Sequence, residues 1–207
     1  MPPPHQPAAA RGTEVRRRRN YPGRVPSRPD VRVRTAIAAD AGELLTVQLA
    51  AFVSEAQQYG DPLILPLRDD VGAVRSAVAD PACTVLVAEV VVGGPDGRAG
   101  RLLGSARLHR GDVGQVGRVV VAPDAQGLGV GSLLLGALHR VAARDGALAT
   151  ELFTGADSAR NIAFYARHGY VATHLIADDR GVRLQVMRRA ADAFGSPPHA
   201  GPPADVG

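Results

Sequence analysis

The order of hydrophobic and polar residues along the chain predicts alternating strands and helices. Short runs rich in Val, Leu and Ile predict strands, whereas apolar residues recurring every three or four positions predict helices. The expected strands are residues 31–37, 83–92, 102–109, 116–121, 147–153, 170–176 and 182–187. The expected helices are residues 41–58, 70–80, 129–144 and 158–167. Because a helix-length crossover makes strands 116–121 and 147–153 parallel while the hairpins are antiparallel, the pattern predicts an α/β fold with a mixed sheet.

The stretch 115–140 joins a strand to a helix through a glycine-rich turn. Its three valines, 119–121, are typical of a strand that is buried on both faces. Apolar residues then recur at helical spacing from Leu128, so residues 126–131 lie where a strand leads into a helix N-terminus. Such a turn has unpaired backbone N–H groups and the positive end of the helix dipole, and its glycines allow an anion to approach closely. We expect this turn to bind a phosphate group.

Composition narrows the class of protein. With 207 residues, 45% of them hydrophobic, the chain can bury one sizeable core. Its single cysteine, Cys83, excludes an intrachain disulfide and a zinc ribbon, which fits a reducing cytoplasm and predicts no metal centre. Neither a signal peptide nor a membrane-spanning segment is evident, so we expect a cytoplasmic protein without membrane contact.

The formal net charge of +4 is unevenly distributed. Residues 1–29 contain seven arginines and one acidic residue, whereas the other 178 residues contain 17 arginines and 19 acidic residues. The basic character therefore belongs to a Pro- and Arg-rich segment, which we expect to be a disordered tail and not a nucleic-acid-binding arm. We expect one folded domain at residues 30–190, followed by a second disordered tail at 191–207.

Two segments of the chain carry recognisable motifs. The first, VVVAPDAQGLGVGSLLL at residues 119–135, has Gln126, Gly129 and Gly131 in a spacing that resembles the acyl-CoA-binding motif of the GNAT superfamily of N-acetyltransferases. The second, SARNIAFYARHGY at residues 158–170, resembles the other motif, a helix that carries a Tyr and ends in Gly followed by an aromatic residue. The resemblance implies a GNAT-like fold, with a mostly antiparallel central sheet that contains a splayed parallel strand pair and is flanked by about four helices.

The same resemblance implies an acetyl-CoA-dependent N-acetyltransferase. The acetyl group would pass directly to the amine of a small molecule or peptide in a ternary complex, and a homodimer is common for this fold. The turn would hold the CoA pyrophosphate, and pantetheine would pair with the backbone between the splayed strands. An N–H near Val121 would polarise the thioester carbonyl, Tyr165 would protonate the leaving thiolate, and Asn161 would hydrogen-bond the cofactor. The implied cofactor-binding residues are Val119, Val120, Val121, Gln126, Gly127, Leu128, Gly129, Val130, Gly131, Ser132, Asn161 and Tyr165.

The general base does not follow from the sequence. Many relatives have a Glu late in the strand before the turn, but residues 115–118 contain no carboxylate here. Four side chains remain open as candidates, and an ordered water relayed by backbone carbonyls is equally compatible. The candidates are Glu55 at the end of the first helix, Glu89 and His109 on neighbouring strands, and Glu151 on the splayed partner strand.

Two alternatives to an acetyltransferase follow from these features. The missing strand carboxylate would also fit a degenerate acyl-CoA-binding or regulatory module without catalysis. A dinucleotide-binding site fits less well, because the third glycine of that fingerprint falls at Ser132 and antiparallel hairpins precede the turn.

Overall fold

The computed structural model describes residues 30–92 and 100–191. The predicted tail at 1–29, the predicted tail at 191–207 apart from its first residue, and most of the turn between the second and third strands lie outside the described residues. In chain order the elements are β1 (Asp30–Thr35), α1 (Ala41–Tyr59), α2 (Val71–Ala79), β2 (Cys83–Val92), β3 (Leu102–His109), β4 (Val113–Val121), α3 (Val130–Arg144), β5 (Ala149–Gly155), α4 (Ala159–Arg167), β6 (Val171–Ala177) and β7 (Arg183–Ala190). The strands form one sheet in the order β1-β2-β3-β4-β5-β7-β6.

β4 and β5 form the parallel pair, whereas every other neighbouring pair in the described sheet is antiparallel. Their ladder is short and joins residues 113–115 to residues 149–151. Beyond Gln115 the two strands separate, and among the described residues no strand pairs with the second half of β4 on that side. The mixed sheet with a splayed parallel pair is therefore confirmed.

β4 contains a bulge at Arg118. Ser105 of β3 lies opposite Val120, whereas Arg107 lies opposite Gly117, so β4 has one more residue than β3 over this span. Arg118 has a φ of 49° and is the one non-glycine residue with a positive φ in the described part of the chain. A left-handed conformation costs an L-residue about 1–2 kcal/mol, and bulges bend the strand that carries them. The bulge falls within the part of β4 that has left β5.

Helices cover both faces of the central strands. Gly104 of β3 faces Leu134 of α3, whereas Arg107, three residues later and on the opposite face, hydrogen-bonds Gln48 of α1. Seven of the eight residues of β3 are buried as a result. Among the described residues, no helix combines the length and the apolar character that crossing a bilayer requires. β3 and β4 thus lie between α1 and α3, and the free half of β4 forms the floor of the site described below.

Candidate active site

A cavity of about 610 Å³ opens where β4 and β5 separate. Its floor is the free half of β4, and its walls come from the turn before α3, from α4, from α1 and from the segment that follows α1. The lining includes residues 51–52, 54–55, 58–59, 64–66, 116–121, 125–127, 129–132, 153–155, 160–161, 164–165 and 167. The topology therefore brings both sequence motifs to one cavity.

The turn before α3 has the geometry of an anion site. Gly129 precedes the helix with a φ of 84°, and no side chain from the described residues caps this terminus. The first N–H that donates along the helix is that of Leu133, which bonds the Gly129 carbonyl at 3.1 Å. The N–H groups of Val130, Gly131 and Ser132 precede that first bond, so their helical partners are missing. Together with the dipole of α3, these donors suit a diphosphate group.

One predicted cofactor residue does not reach the cavity. Leu128 packs against the hydrophobic core, and its N–H donates to the Ala125 carbonyl at 3.4 Å. Its neighbours Gly127 and Gly129 both line the cavity. A single apolar side chain in the glycine turn thus anchors the turn to the core, which the motif spacing alone does not reveal.

Two arginines of α4, which the sequence analysis missed, add positive charge to this side of the cavity. Arg160 and Arg167 both line it. Arg160 Nη2 donates to Gln126 Oε1 at 3.2 Å, and Gln126 Nε2 donates to the Val121 carbonyl at 3.4 Å. The seven-residue spacing of the arginines places them on one helix face two turns apart, and that signal was available in the sequence.

Tyr165 and Asn161 of α4 also face the cavity, as the motif predicts. The half-buried ring of Tyr165 packs edge-on against Phe164 and Tyr170, with ring centroids 5.2 and 5.9 Å apart. Burial, with smaller contributions from Tyr170 and Glu55, raises the pKa of Tyr165 above its ordinary value. The phenol therefore stays protonated at neutral pH and is able to donate a proton.

Glu55 is the base candidate that lines the cavity. It lies near the C-terminal end of α1 and is partly buried. Burial raises the pKa of its carboxyl, and the backbone N–H of Gly155 partly offsets that shift. A raised pKa brings a carboxylate closer to the range in which a general base works near neutral pH.

The other three base candidates do not line the cavity. Glu89 of β2 bonds Arg34 Nε at 2.6 Å and Arg32 Nη2 at 3.2 Å, and these bonds lower the pKa of its carboxyl. The exposed His109 ends β3 opposite Gln115, where β4 and β5 are still paired. Glu151 also lies opposite Gln115, on β5. Glu89 is two strands away from β4, and the other two lie at the closed end of the strand pair.

The wall opposite the turn is held by side-chain contacts between distant segments. Arg180, in the turn between β6 and β7, donates to Asp61 at 2.6 Å. Arg68 donates to Asp179 of that same turn at 3.1 and 3.3 Å. We call these two pairs the crossing salt bridges. They fasten the segment between α1 and α2 to the last hairpin, and Ile64, Leu65, Val182 and Leu184 line the cavity beside them.

A polar network reaches the cavity floor at the bulge. Arg118 donates through Nε and Nη2 to the two carboxylate oxygens of Asp69, at 3.1 and 3.3 Å. Asp69 also accepts a bond from Gln48 at 2.9 Å, and its carboxylate lies 3.6 Å from Arg107 Nη1. Arg118 itself lines the cavity. In the described residues, no group of three or more His, Cys, Asp or Glu side chains is arranged to hold a metal ion.

Solved structures of similar shape include N-acetyltransferases. The PaiA N-acetyltransferase of Thermoplasma acidophilum, solved in complex with coenzyme A, is 14% identical with a TM-score of 0.61, over 78% of this chain and 99% of that one. The ribosomal-protein-S18-alanine N-acetyltransferase of Escherichia coli is 15% identical with a TM-score of 0.61, over 78% and 94%. The yncA protein of Salmonella typhimurium, solved with its cofactor acetyl-CoA, is 21% identical with a TM-score of 0.60, over 84% and 99%. At identities this low, the structural similarity shows the fold alone.

The family is established by sequence. The family model described as "Acetyltransferase (GNAT) family" matches residues 49–170, which is more than half of the chain. A comparison with curated protein sequences finds no match. The chain belongs to the GNAT acetyltransferase family and is an N-acetyltransferase.

Proposed function

We propose that the protein transfers the acetyl group of acetyl-CoA directly to the amine of a small molecule or peptide within a ternary complex. One observation carries the proposal. The uncapped N-terminus of α3, the free half of β4, and the side chains of Tyr165 and Glu55 all face one cavity. The GNAT relatives solved with coenzyme A and with acetyl-CoA support the choice of donor.

The cofactor side of the cavity would position the donor. The N–H groups at the start of α3 and the guanidinium groups of Arg160 and Arg167 would bind phosphate oxygens. The half of β4 that has separated from β5 would hydrogen-bond the pantetheine amides on that side, in the manner of an added strand. A backbone N–H near Val121 would then donate to the thioester oxygen as negative charge develops on it.

Glu55 and Tyr165 would move the protons. Glu55, directly or through a water molecule, would accept the proton that the amine must lose to become a nucleophile. The amine nitrogen would form a bond to the thioester carbon, and the carbon–sulfur bond would break as Tyr165 donates its proton to the thiolate. As the tetrahedral intermediate collapses, the nitrogen would release its second proton to solvent. The products would be the N-acetylated amine and the CoA thiol, and Tyr165 would regain a proton from solvent. The single cysteine lies on β2 outside the cavity lining, which favours direct transfer over an acyl-enzyme intermediate.

The test is a screen of amines that measures release of the CoA thiol, followed by substitution of Tyr165. For Tyr165→Phe we expect turnover to fall by about 100-fold or more, because the general acid is lost, while acetyl-CoA affinity measured by calorimetry stays within about two-fold. Unchanged turnover would exclude Tyr165 as the acid. Acetyl-CoA binding without thiol release from any amine would favour the alternative of a non-catalytic acyl-CoA-binding module.

Tyr170→Phe is the matched control. The Tyr170 hydroxyl is buried, bonds Thr150 at 2.9 Å and His139 at 3.1 Å, and does not reach the cavity. Its removal leaves buried polar partners unsatisfied and should lower the free energy of unfolding by about 1–3 kcal/mol. Turnover of the folded fraction should change little.

A further inference from the structure

Arg118, a residue of the cavity lining, has an unused hydrogen-bond donor. Its Nε and Nη2 atoms are bonded to Asp69, whereas its Nη1 has no partner among the described residues. A guanidinium has five N–H groups in a planar fork and keeps its charge at every physiological pH. Arg118 belongs to the cavity lining, and its side chain as a whole is 22% exposed. Nη1 is therefore the donor of the fork that is left for a ligand.

The surroundings of Arg118 carry an excess of positive charge. The guanidinium groups of Arg107 and Arg118 share one carboxylate, that of Asp69, and Gln48, which completes the network, is neutral. The exposed fraction of the side chain is 9% for Arg107, 22% for Arg118 and 16% for Asp69. Weak solvation strengthens their interactions with any charge that enters the cavity. An anionic group at the free edge of Arg118 would balance the network.

The position of Arg118 assigns this charge to the acceptor. The donor's phosphates have their own binding groups in the α3 N-terminus, Arg160 and Arg167, beyond the C-terminal end of β4. Arg118 instead sits at the bulge, where Asp69 ties it to the segment that leads into α2. Together with α1, which carries Glu55, that segment forms the wall of the cavity opposite the glycine-rich turn. We expect the acceptor to bind against this wall.

We propose that Arg118 binds a carboxylate of the acceptor, so that the preferred substrates are amines that also carry a carboxylate. This inference rests on the proposed function and names its substrate class. Arg118 would form charge-assisted hydrogen bonds to the carboxylate through Nη1 and the remaining N–H of Nη2. Asp69 is a positioning residue, since it holds the other edge of the fork while the strained backbone of the bulge aims the side chain. Glu55, on the facing helix, would then receive the proton of the acceptor's amino group.

The experiment compares amino acids with their own carboxamides as acceptors at saturating acetyl-CoA. Each pair shares the amine and the side chain and differs in the carboxylate. With the full-length protein we expect kcat/KM to favour the carboxylate by about ten-fold or more, because the carboxamide cannot pair with the charge. Arg118→Gln should bring this ratio close to one, mainly through a higher KM for the amino acids, while the carboxamides change by less than about three-fold.

A second arginine of the cavity provides the control. Arg167→Gln should raise the KM for acetyl-CoA and leave the ratio between amino acids and carboxamides as in the wild type. Asp69→Asn keeps the charge of Arg118 but loosens its position, so the ratio should fall without disappearing. Thermal unfolding and acetyl-CoA calorimetry verify that each variant is folded. Arg118→Met, which also removes the charge, replaces Arg118→Gln with the same expected ratio if that variant does not fold.

The failures of the two proposals can be told apart. If carboxamides and amino acids are acetylated equally well by the wild type, or if Arg118→Gln slows both equally, the carboxylate site is refuted while acetyl transfer stands. If no amine yields free CoA, the proposed function fails. The same pairs are then measured by calorimetry on protein saturated with CoA, and equal affinity for both members of a pair would overturn the carboxylate site as well.

Discussion

The two ends of the cavity are built in different ways. The proposed cofactor end is formed mainly by backbone N–H groups of one contiguous turn, in which Gly129 precedes the helix and no side chain of the described residues caps it, and Arg160 and Arg167 add charge from α4. The acceptor end is made by side chains that meet only in the folded chain, since the crossing salt bridges join residues 119 and 111 positions apart in sequence. A ligand at the first end would be recognised mainly by backbone groups, which every residue possesses, and a ligand at the second by side chains, which a single substitution removes.

This difference explains why a short motif can identify the donor and not the acceptor. Backbone donors are fixed once the turn forms, so a few glycines in the correct spacing are a sufficient signature. Side-chain walls are set by which segments pack together, and that information is spread over the whole fold. Substitutions at one end or the other test this difference.

Gly129→Glu should abolish measurable acetyl-CoA binding at the cofactor end. The position has a φ of 84°, which costs a residue with a Cβ about 1–2 kcal/mol. A carboxylate there would also repel a phosphate about 4 Å away by roughly 4 kcal/mol at the effective dielectric of a protein surface. We expect the dissociation constant from calorimetry to rise by more than about 100-fold.

Gly136→Glu is the matched control on the same helix. A Cβ at Gly136 meets only Arg140 Nη1, at 3.9 Å, and the residue lies outside the cavity. The change should stabilise α3 slightly, since glycine is unfavourable within a helix and the new acid precedes Arg140 by four residues. Equal weakening of acetyl-CoA binding by both substitutions would contradict a local role for the turn.

Glu55→Gln, at the junction of the two ends, should lower turnover by about 10- to 100-fold. In the wild type, kcat/KM should fall at acidic pH with an apparent pKa above the ordinary value of about 4.3, because burial raises the pKa of the Glu55 carboxyl. The variant should lack this acidic limb. An identical pH profile in both proteins would point to a base other than Glu55.

Glu55→Gln, which should lower turnover, should raise stability at neutral pH. A carboxyl whose pKa is raised by folding favours the folded state below its unfolded pKa, and this contribution is lost as pH rises through the folded pKa. At neutral pH the ionised Glu55 therefore lowers the free energy of unfolding, and Glu55→Gln should raise the thermal unfolding midpoint at that pH. At pH 3 the two proteins should differ little.

The crossing salt bridges should give the smallest effect. Arg180→Gln and Arg68→Gln are expected to raise the KM of the acceptor by about two- to three-fold, because exposed ion pairs are weak. Arg180→Gln should be the stronger of the two, since its partner Asp61 is 10% exposed whereas Asp179 is 61% exposed. Both effects should shrink at 1 M salt. A matching rise in the KM for acetyl-CoA would mean that the pairs hold the whole cavity and not its acceptor end.

The hydrophobic pattern predicted most of the fold because its signals are local. The expected bounds of β2 and β3 coincide with Cys83–Val92 and Leu102–His109, where turn residues and a proline flank clear apolar runs. β4 and β7 are each longer than expected, since polar and small residues join the ladder at their ends. Strand pairing compensates there for a weak local preference.

The catalytic assignments depended on information that the sequence holds only indirectly. Glu89 alternates with valines as a cavity residue would, but its partner Arg34 lies 55 positions earlier, and only the pairing of β1 with β2 reveals it. The sequence does not show to which face of the sheet the Arg118 side chain points, because the bulge changes the alternation of side chains along β4. Register and helix packing, which are long-range, decide both cases.

The gap between β4 and β5 makes the stability of the fold depend on which molecules bind in it. Among the described residues, no strand pairs with the second half of β4 on the side of β5, so a seam runs through the middle of the sheet. Any molecule that closes the seam binds the folded chain and not the unfolded one, and thereby shifts the folding equilibrium by mass action. The supply of donor in the cell would then govern two quantities at once: how fast the enzyme works and how long each copy survives proteolysis.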